Sequence, residues 1–174
     1  MKKNYALILG SSSGFGKAIA LALAKDGVNI IGVHLDRATT KPDVDQLVSD
    51  IKALGVDVHF FNVNAADPVR RAEIIKEIEN IFSKDNNSTV RVLLHSLAFG
   101  TLKPFITGDL GEEITQKQIE MTLDVMANSL IYWSQELINK KLMVRGGKIY
   151  AMTSSGGSKQ IEFYGAVSAA KACL

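Results

Sequence analysis

Three observations make an α/β fold on a doubly wound parallel sheet the class this sequence predicts. Short apolar runs alternate with longer stretches of helical period, the first run ends in a glycine-rich turn, "GSSSGFG" (10–16), and no low-complexity linker or internal repeat interrupts the pattern. Strands buried on both faces read as continuous apolar runs, and parallel neighbours need right-handed crossover helices between them. The expected strand order is 3-2-1-4-5, a Rossmann-type sheet that binds ligands at its carboxyl ends.

The strands are predicted at "YALIL" (5–9), "NIIGVHL" (29–35), "VHFFNV" (58–63), "VRVLLH" (90–95) and "KIYAMT" (148–153), all rich in Val, Ile and aromatics. Four helices lie between them. The alanines Ala18, Ala20, Ala22 and Ala24 leave the first one thin enough to pack close to the sheet. Asp43 with Gln46 is a candidate cap for the second. In the third, Ile74, Ile75, Ile78, Ile81 and Phe82 share one face, and Asp67 followed by Pro68 suits its start. Thr115 with Gln118 reads as a capping box that opens a long fourth helix. Its expected inner face carries Ile119, Leu123, Met126, Ala127, Leu130, Ile131, Leu137 and Ile138.

Composition excludes several function classes. The 174 residues suffice for one domain with a sizeable core, and a net charge of +2 gives no field that would select nucleic acid or an anionic membrane. The longest apolar run, Ala18 to Ala24, is far short of the roughly 18 residues of a membrane span. The single cysteine, Cys173, has no internal disulfide partner, and His34, His59 and His95 form no cluster at metal-ligand spacing, so no metal is expected. A reducing cytoplasm fits this composition.

The turn after the first strand points to a dinucleotide. Gly10, Gly14 and Gly16 stand where the chain must turn sharply into a helix, with Ser12, Ser13 and Phe15 between them. Glycine lets backbone N–H groups approach a pyrophosphate, and the helix N-terminus adds partial positive charge. A kinase-type phosphate loop does not fit, because five residues separate Gly10 from Gly16 and Ala18 replaces the magnesium-binding hydroxyl. The acidic residue expected about 20 positions further on is Asp36, followed at once by Arg37. A carboxylate there would bind the adenosine ribose and repel a 2′-phosphate, whereas a guanidinium would hold that phosphate. A solvated turn is the third alternative.

Four stretches in order, "GSSSGFG", "HSLAFG" (95–100), "KIYAMTSSGG" (148–157) and "YGAVSAAK" (164–171), resemble the short-chain dehydrogenase/reductase family along the whole chain. Typical members carry Asn-Asn-Ala-Gly after the fourth strand, a serine after the fifth and a Tyr-x-x-x-Lys pair. Here His95, Ser96, Leu97 and Ala98 occupy the first place, and Val167 stands four before Lys171. The phenol, Tyr164, stands seven before it. That spacing with His-Ser-Leu-Ala is similar to the divergent branch of enoyl-acyl-carrier-protein reductases, and most to its NADPH-using enzymes.

The resemblance implies NAD(P)H-dependent reduction of the double bond of a trans-2-enoyl thioester in fatty acid synthesis. A carbonyl or alcohol oxidoreductase such as a 3-oxoacyl-acyl-carrier-protein reductase, and a non-catalytic dinucleotide-binding protein, are the alternatives. It assigns catalysis to Tyr164, Lys171 and Ser154, with Lys171 on the nicotinamide ribose; Ser154 could equally satisfy the backbone of its own turn. Asn64 and Ala65 match the adenine-contacting pair, and Ser96, Leu97 and Ala98 would run beneath the ribose and nicotinamide. His34 rather than Asp36 aligns with the acid of NAD-preferring relatives, which points to NADPH, with NADH the alternative. The family's helix asparagine falls on Met126, two residues before Asn128. On a helix, residues seven apart share a face roughly 10 Å apart along the axis, against about 6 Å for an offset of four. Such a displaced donor suits 1,4-addition, in which charge collects on an oxygen remote from the carbon that takes the hydride.

The acyl thioester is expected on an acyl carrier protein. The basic "NKKLMVRGGK" (139–148) would either attract that acidic partner or be solvated charge. Relatives continue with two more strands and a segment over the substrate, so residues 1–174 are expected to be one dinucleotide-binding domain, incomplete at its C-terminus. The full-length protein is expected to form a tetramer.

Overall fold

The computed structural model describes residues 3–84, 88–109 and 111–174. Five parallel strands, β1 (Asn4–Leu9), β2 (Asn29–His34), β3 (Val58–Asn62), β4 (Thr89–His95) and β5 (Lys148–Ala151), form one sheet in the order β3-β2-β1-β4-β5. This is the predicted order. Residues alternate across β1: Ala6 and Ile8 face a core with Ala20, Ala24, Leu47 and Ile51. Tyr5, Leu7 and Leu9 face the other layer, with Ile74, Ile78, Trp133 and Leu137. Each such large side chain taken fully out of water contributes roughly 1.5–3 kcal/mol.

Helix α1 (Gly14–Lys25) buries Gly16, Ala20 and Ala24, whereas Ala18 and Ala22 are exposed. A period of 3.6 turns only every fourth position, and so every second of these small residues, toward the sheet. Helix α2 (Lys41–Ala53) begins two residues before the expected Asp43 cap, because Pro42 occupies its first turn and Thr40 precedes it. Asp67 caps α3 (Pro68–Ser83), accepting hydrogen bonds from the Val69 and Arg70 amides. The capping box of Thr115 and Gln118 is present at the start of α4 (Gln116–Leu123).

The long fourth helix departs from expectation. A π-helical turn at Asp124–Asn128 separates α4 from α5 (Ser129–Asn139). The wider turn shifts the phase of everything after it. Trp133 and Leu137 are fully buried, while Ile131 and Ile138, expected on the inner face, are 54% and 53% exposed. The last helix, α6 (Gly165–Ala172), follows β5 and a 3₁₀ turn at Ser155–Gly157. Among the described residues no helix is long and apolar enough to cross a membrane.

Candidate active site

The carboxyl ends of β1, β2, β3 and β4 open into a cleft of about 280 Å³. Its walls include Gly10, Ser12, Ser13, Gly14 and Phe15 from the first turn, Asn64 and Ala65 after β3, and Ser96, Leu97 and Ala98 after β4. The sequence assigned all ten to a dinucleotide. His34 and Val125 complete part of the wall, and neither Gly16, Asp36, Arg37 nor Lys171 lines it.

The turn has the shape that close backbone approach demands. A Cβ at Gly16 would sit 1.9 Å from the Gly10 carbonyl oxygen, and one at Gly10 would sit 2.3 Å from that of Ser96. Gly16 therefore packs the helix start closely onto the strand end. Gly14, at φ +51°, opens α1, and a Cβ there would meet nothing within 4 Å. Exposed backbone at a helix N-terminus suits a pyrophosphate, so the residues present fit the dinucleotide that the turn implies.

At the end of β2, Asp36 is engaged from several sides. His34 Nδ1 lies 2.8 Å from one carboxylate oxygen and the Thr40 hydroxyl donates to the other at 3.0 Å. Burial works to raise the Asp36 pKa, and hydrogen bonds from Ser12, His34 and Thr40 outweigh it, holding the carboxyl below its ordinary range. Asp36 thus ties the glycine turn to the end of β2. The adjacent Arg37 is exposed; its carbonyl accepts from the Thr40 amide and hydroxyl, each at 3.1 Å, while its guanidinium makes no hydrogen bond or ion pair among the described residues. This network was invisible in the sequence, where Asp36 and Arg37 stood as rivals.

The loop after β3 is held from behind. The Trp133 indole donates to the Ala65 carbonyl at 2.9 Å, and Arg71, paired with Glu136 at 2.7 Å, donates to the Ala66 carbonyl at 3.3 Å. The Asn64 side-chain oxygen accepts from the Ala66 amide at 3.0 Å. Sequence reasoning missed Trp133, since one tryptophan in an amphipathic helix signals only core.

Beyond the cleft, Tyr164 is the N-cap residue of α6, one position outside the helix, and its carbonyl accepts from the Ser168 amide at 2.7 Å. Its ring is half-buried against Gly156, and its hydroxyl makes no hydrogen bond among the described residues. Val167 is buried beside Met126. Lys171 is buried too, and its ammonium donates to the carbonyls of Met152 at 2.6 Å and Leu97 at 3.2 Å. Burial pushes its pKa down. An ammonium has three protons, so two backbone bonds leave one donor for a ligand. The Ser154 hydroxyl accepts from the Gly156 amide at 3.2 Å, the turn-capping alternative, which leaves its proton free to donate.

His95 at the end of β4 is fully buried, its Nε2 2.9 Å from the Ser129 hydroxyl, which itself donates to the Val125 carbonyl at 2.8 Å. Burial first, and the Lys171 charge second, push its pKa down to about 4, so the ring is neutral near pH 7.

Comparison with known proteins agrees with this geometry. The family described as Enoyl-(Acyl carrier protein) reductase matches residues 10–174. The chain is 30% identical over 153 residues to the 3-oxoacyl-[acyl-carrier-protein] reductase of Staphylococcus epidermidis, covering 88% of this chain and 57% of that protein. It is also 30% identical over 144 residues to the 2-dehydro-3-deoxy-D-gluconate 5-dehydrogenase of Pseudoalteromonas atlantica, covering 83% and 51%. The chain thus spans about half the length of these curated relatives. A solved short-chain dehydrogenase/reductase from Serratia marcescens superposes with a TM-score of 0.78 at 21% identity, over 99% of this chain and 64% of that one.

Proposed function

Since the chain belongs to the short-chain dehydrogenase/reductase family, we propose that it reduces the carbon–carbon double bond of a trans-2-enoyl thioester, using a nicotinamide dinucleotide held in the cleft. One observation carries this reading. Val167, buried and without a proton to give, stands four before Lys171, while the only phenol of this segment is Tyr164, seven before it and with an uncommitted hydroxyl.

When bound, the reduced nicotinamide supplies a hydride to the β-carbon of the substrate. As that bond forms, the double-bond electrons move toward the thioester carbonyl and negative charge collects on its oxygen. Tyr164 donates a hydrogen bond there, stabilisation realised mainly in the transition state. Lys171, fixed by the Met152 and Leu97 carbonyls, turns its remaining proton to the cofactor ribose, and its charge favours the enolate. A proton from solvent then adds at the α-carbon, completing the saturated thioester. Ser154 donates to substrate or to Tyr164. Asn64 and Ala65 would hold the adenine, and Ser96 to Ala98 would hold the ribose and nicotinamide.

The cofactor is NADPH. Asp36 spends its carboxylate on Ser12, His34 and Thr40 and leaves Arg37 open to a 2′-phosphate. The acyl group arrives on an acyl carrier protein, which the exposed Lys140, Lys141, Arg145 and Lys148 would attract. The exposed apolar Ile131 and Ile138 of α5 favour a homo-oligomer, read as a tetramer.

The Staphylococcus epidermidis relative favours a second reading, reduction of a 3-oxoacyl thioester. NADPH oxidation with crotonyl and acetoacetyl thioesters offered in parallel decides between them. Turnover of the crotonyl ester alone is expected, turnover of the acetoacetyl ester alone would establish the second reading, and turnover of neither would leave a dinucleotide-binding protein without this catalysis.

A further inference from the structure

We infer that His95 is a positioning residue that fixes the distance between two walls of the dinucleotide cleft, acting through Ser129. The inference rests on the proposed dinucleotide site and goes beyond it. One wall is the segment that leaves β4, Ser96 to Ala98; the other is the π-helical turn, whose Val125 lines the same cleft. The connection between them is short and entirely buried. Ser129 has one hydroxyl proton, and it goes to the Val125 carbonyl at 2.8 Å, an acceptor that can do nothing but accept. The Ser129 oxygen must therefore receive the Nε2 proton of His95 at 2.9 Å, which fixes the imidazole as the Nε2–H tautomer. Both side chains are 0% exposed, so no water replaces either bond without rearrangement.

The arrangement has a physical reason at each end. A π turn breaks the regular ladder of helix carbonyls and needs another donor for one of them; Ser129 supplies it at Val125. His95 is the last residue of β4, paired with Leu9 of β1, and its carbonyl accepts from the Met152 amide at 2.8 Å. Its backbone is thus held by the sheet on both sides. The ring conveys that fixed position to the turn, and Val125 is held against the cleft instead of relaxing into a regular helix. Neutrality suits this task, because an imidazolium would be a buried charge beside the Lys171 ammonium.

The test is the affinity of the 174-residue chain for NADPH, measured by nicotinamide fluorescence under conditions where circular dichroism shows each variant folded. His95→Leu removes the donor, and Ser129→Ala removes the link while deleting a single oxygen, so the second serves even where the first does not fold. Each is expected to weaken NADPH binding about tenfold. The double variant is expected to weaken it no further, because both remove one connection. His95→Gln, which places an amide N–H near the Nε2 position, is expected to restore binding to within about twofold. Unchanged affinity in Ser129→Ala, additive losses in the double variant, or failure of His95→Gln to restore binding would each overturn the inference with the cofactor site intact. Absence of NADPH binding by the wild-type chain would instead overturn the dinucleotide reading, and the inference with it.

Discussion

The two ends of this site are built on different principles. Around the glycine turn, function depends on what is missing: Gly10 and Gly16 have no room for a Cβ, and the surrounding side chains brace a backbone shape. Around α6, the proposed reaction depends on what is present, since Tyr164 and Ser154 would reach the substrate and Lys171 the cofactor ribose, and two of these three polar groups are partly committed elsewhere. Lys171 is bonded to two carbonyls and Ser154 to its own turn, and of the three only the Tyr164 hydroxyl has no partner among the described residues. The first end should respond to added atoms with lost stability, the second to removed atoms with lost rate.

The largest effect that sharpens this contrast is Tyr164→Phe. Losing one hydrogen bond to a developing oxyanion costs roughly 10²–10³ in kcat, with NADPH affinity and thermal stability close to wild type. Steady-state kinetics with a crotonyl thioester checks it, and a normal rate would remove the acid role.

Next is the pH dependence of stability, which reaches the junction of the two ends through His95. Its pKa falls from 6.5 when unfolded to about 4 in the fold. The unfolded chain therefore takes up the proton first as pH drops. The His95 contribution is complete above pH 6.5 and is lost as pH falls toward 4, a difference worth about 3 kcal/mol. Urea unfolding across that range should show the decline in wild type and a shallower one in His95→Gln.

At the glycine end, Gly16→Ala forces a methyl group onto the Gly10 carbonyl and should destabilise by roughly 1–3 kcal/mol. Gly14→Ala meets no neighbour but retains a positive φ, and should cost roughly 1–2 kcal/mol. Melting temperatures separate them: a smaller loss at Gly16 than at Gly14 would break the account of the turn. The smallest effect is Arg37→Ala, expected to raise the KM for NADPH about tenfold, on the order of 1.4 kcal/mol, and to leave that for NADH unchanged.

How much of this was legible in the sequence follows the same division. Backbone-driven features were readable, because glycine placement, apolar runs and capping pairs act locally: the strand order, the Asp67 and Thr115 caps and the cleft residues Gly10, Ser12, Ser13, Gly14 and Phe15 follow from short windows, whereas Asn64, Ala65, Ser96, Leu97 and Ala98 were assigned through the family resemblance. What escaped depends on partners far apart in the chain. The π turn at 124–128 has no signature in the spacing of apolar residues, and it exposes Ile131 and Ile138 while burying Trp133. Asp36 and Arg37 looked like competitors until Ser12 and Thr40 closed on the carboxylate. His95 reads as a family substitution, and only its bond to Ser129, 34 positions away, gives it a task.

The central claim is 1,4-reduction, and the fate of the transferred hydrogen tests it most directly. With NADPH carrying deuterium at the transferable position of the nicotinamide and a crotonyl thioester as substrate, the account predicts a butyryl thioester labelled at the β-carbon. A saturated product without cofactor-derived deuterium at that carbon, or no labelled butyryl thioester while a parallel reaction with an acetoacetyl thioester gives a labelled carbinol carbon, would contradict it.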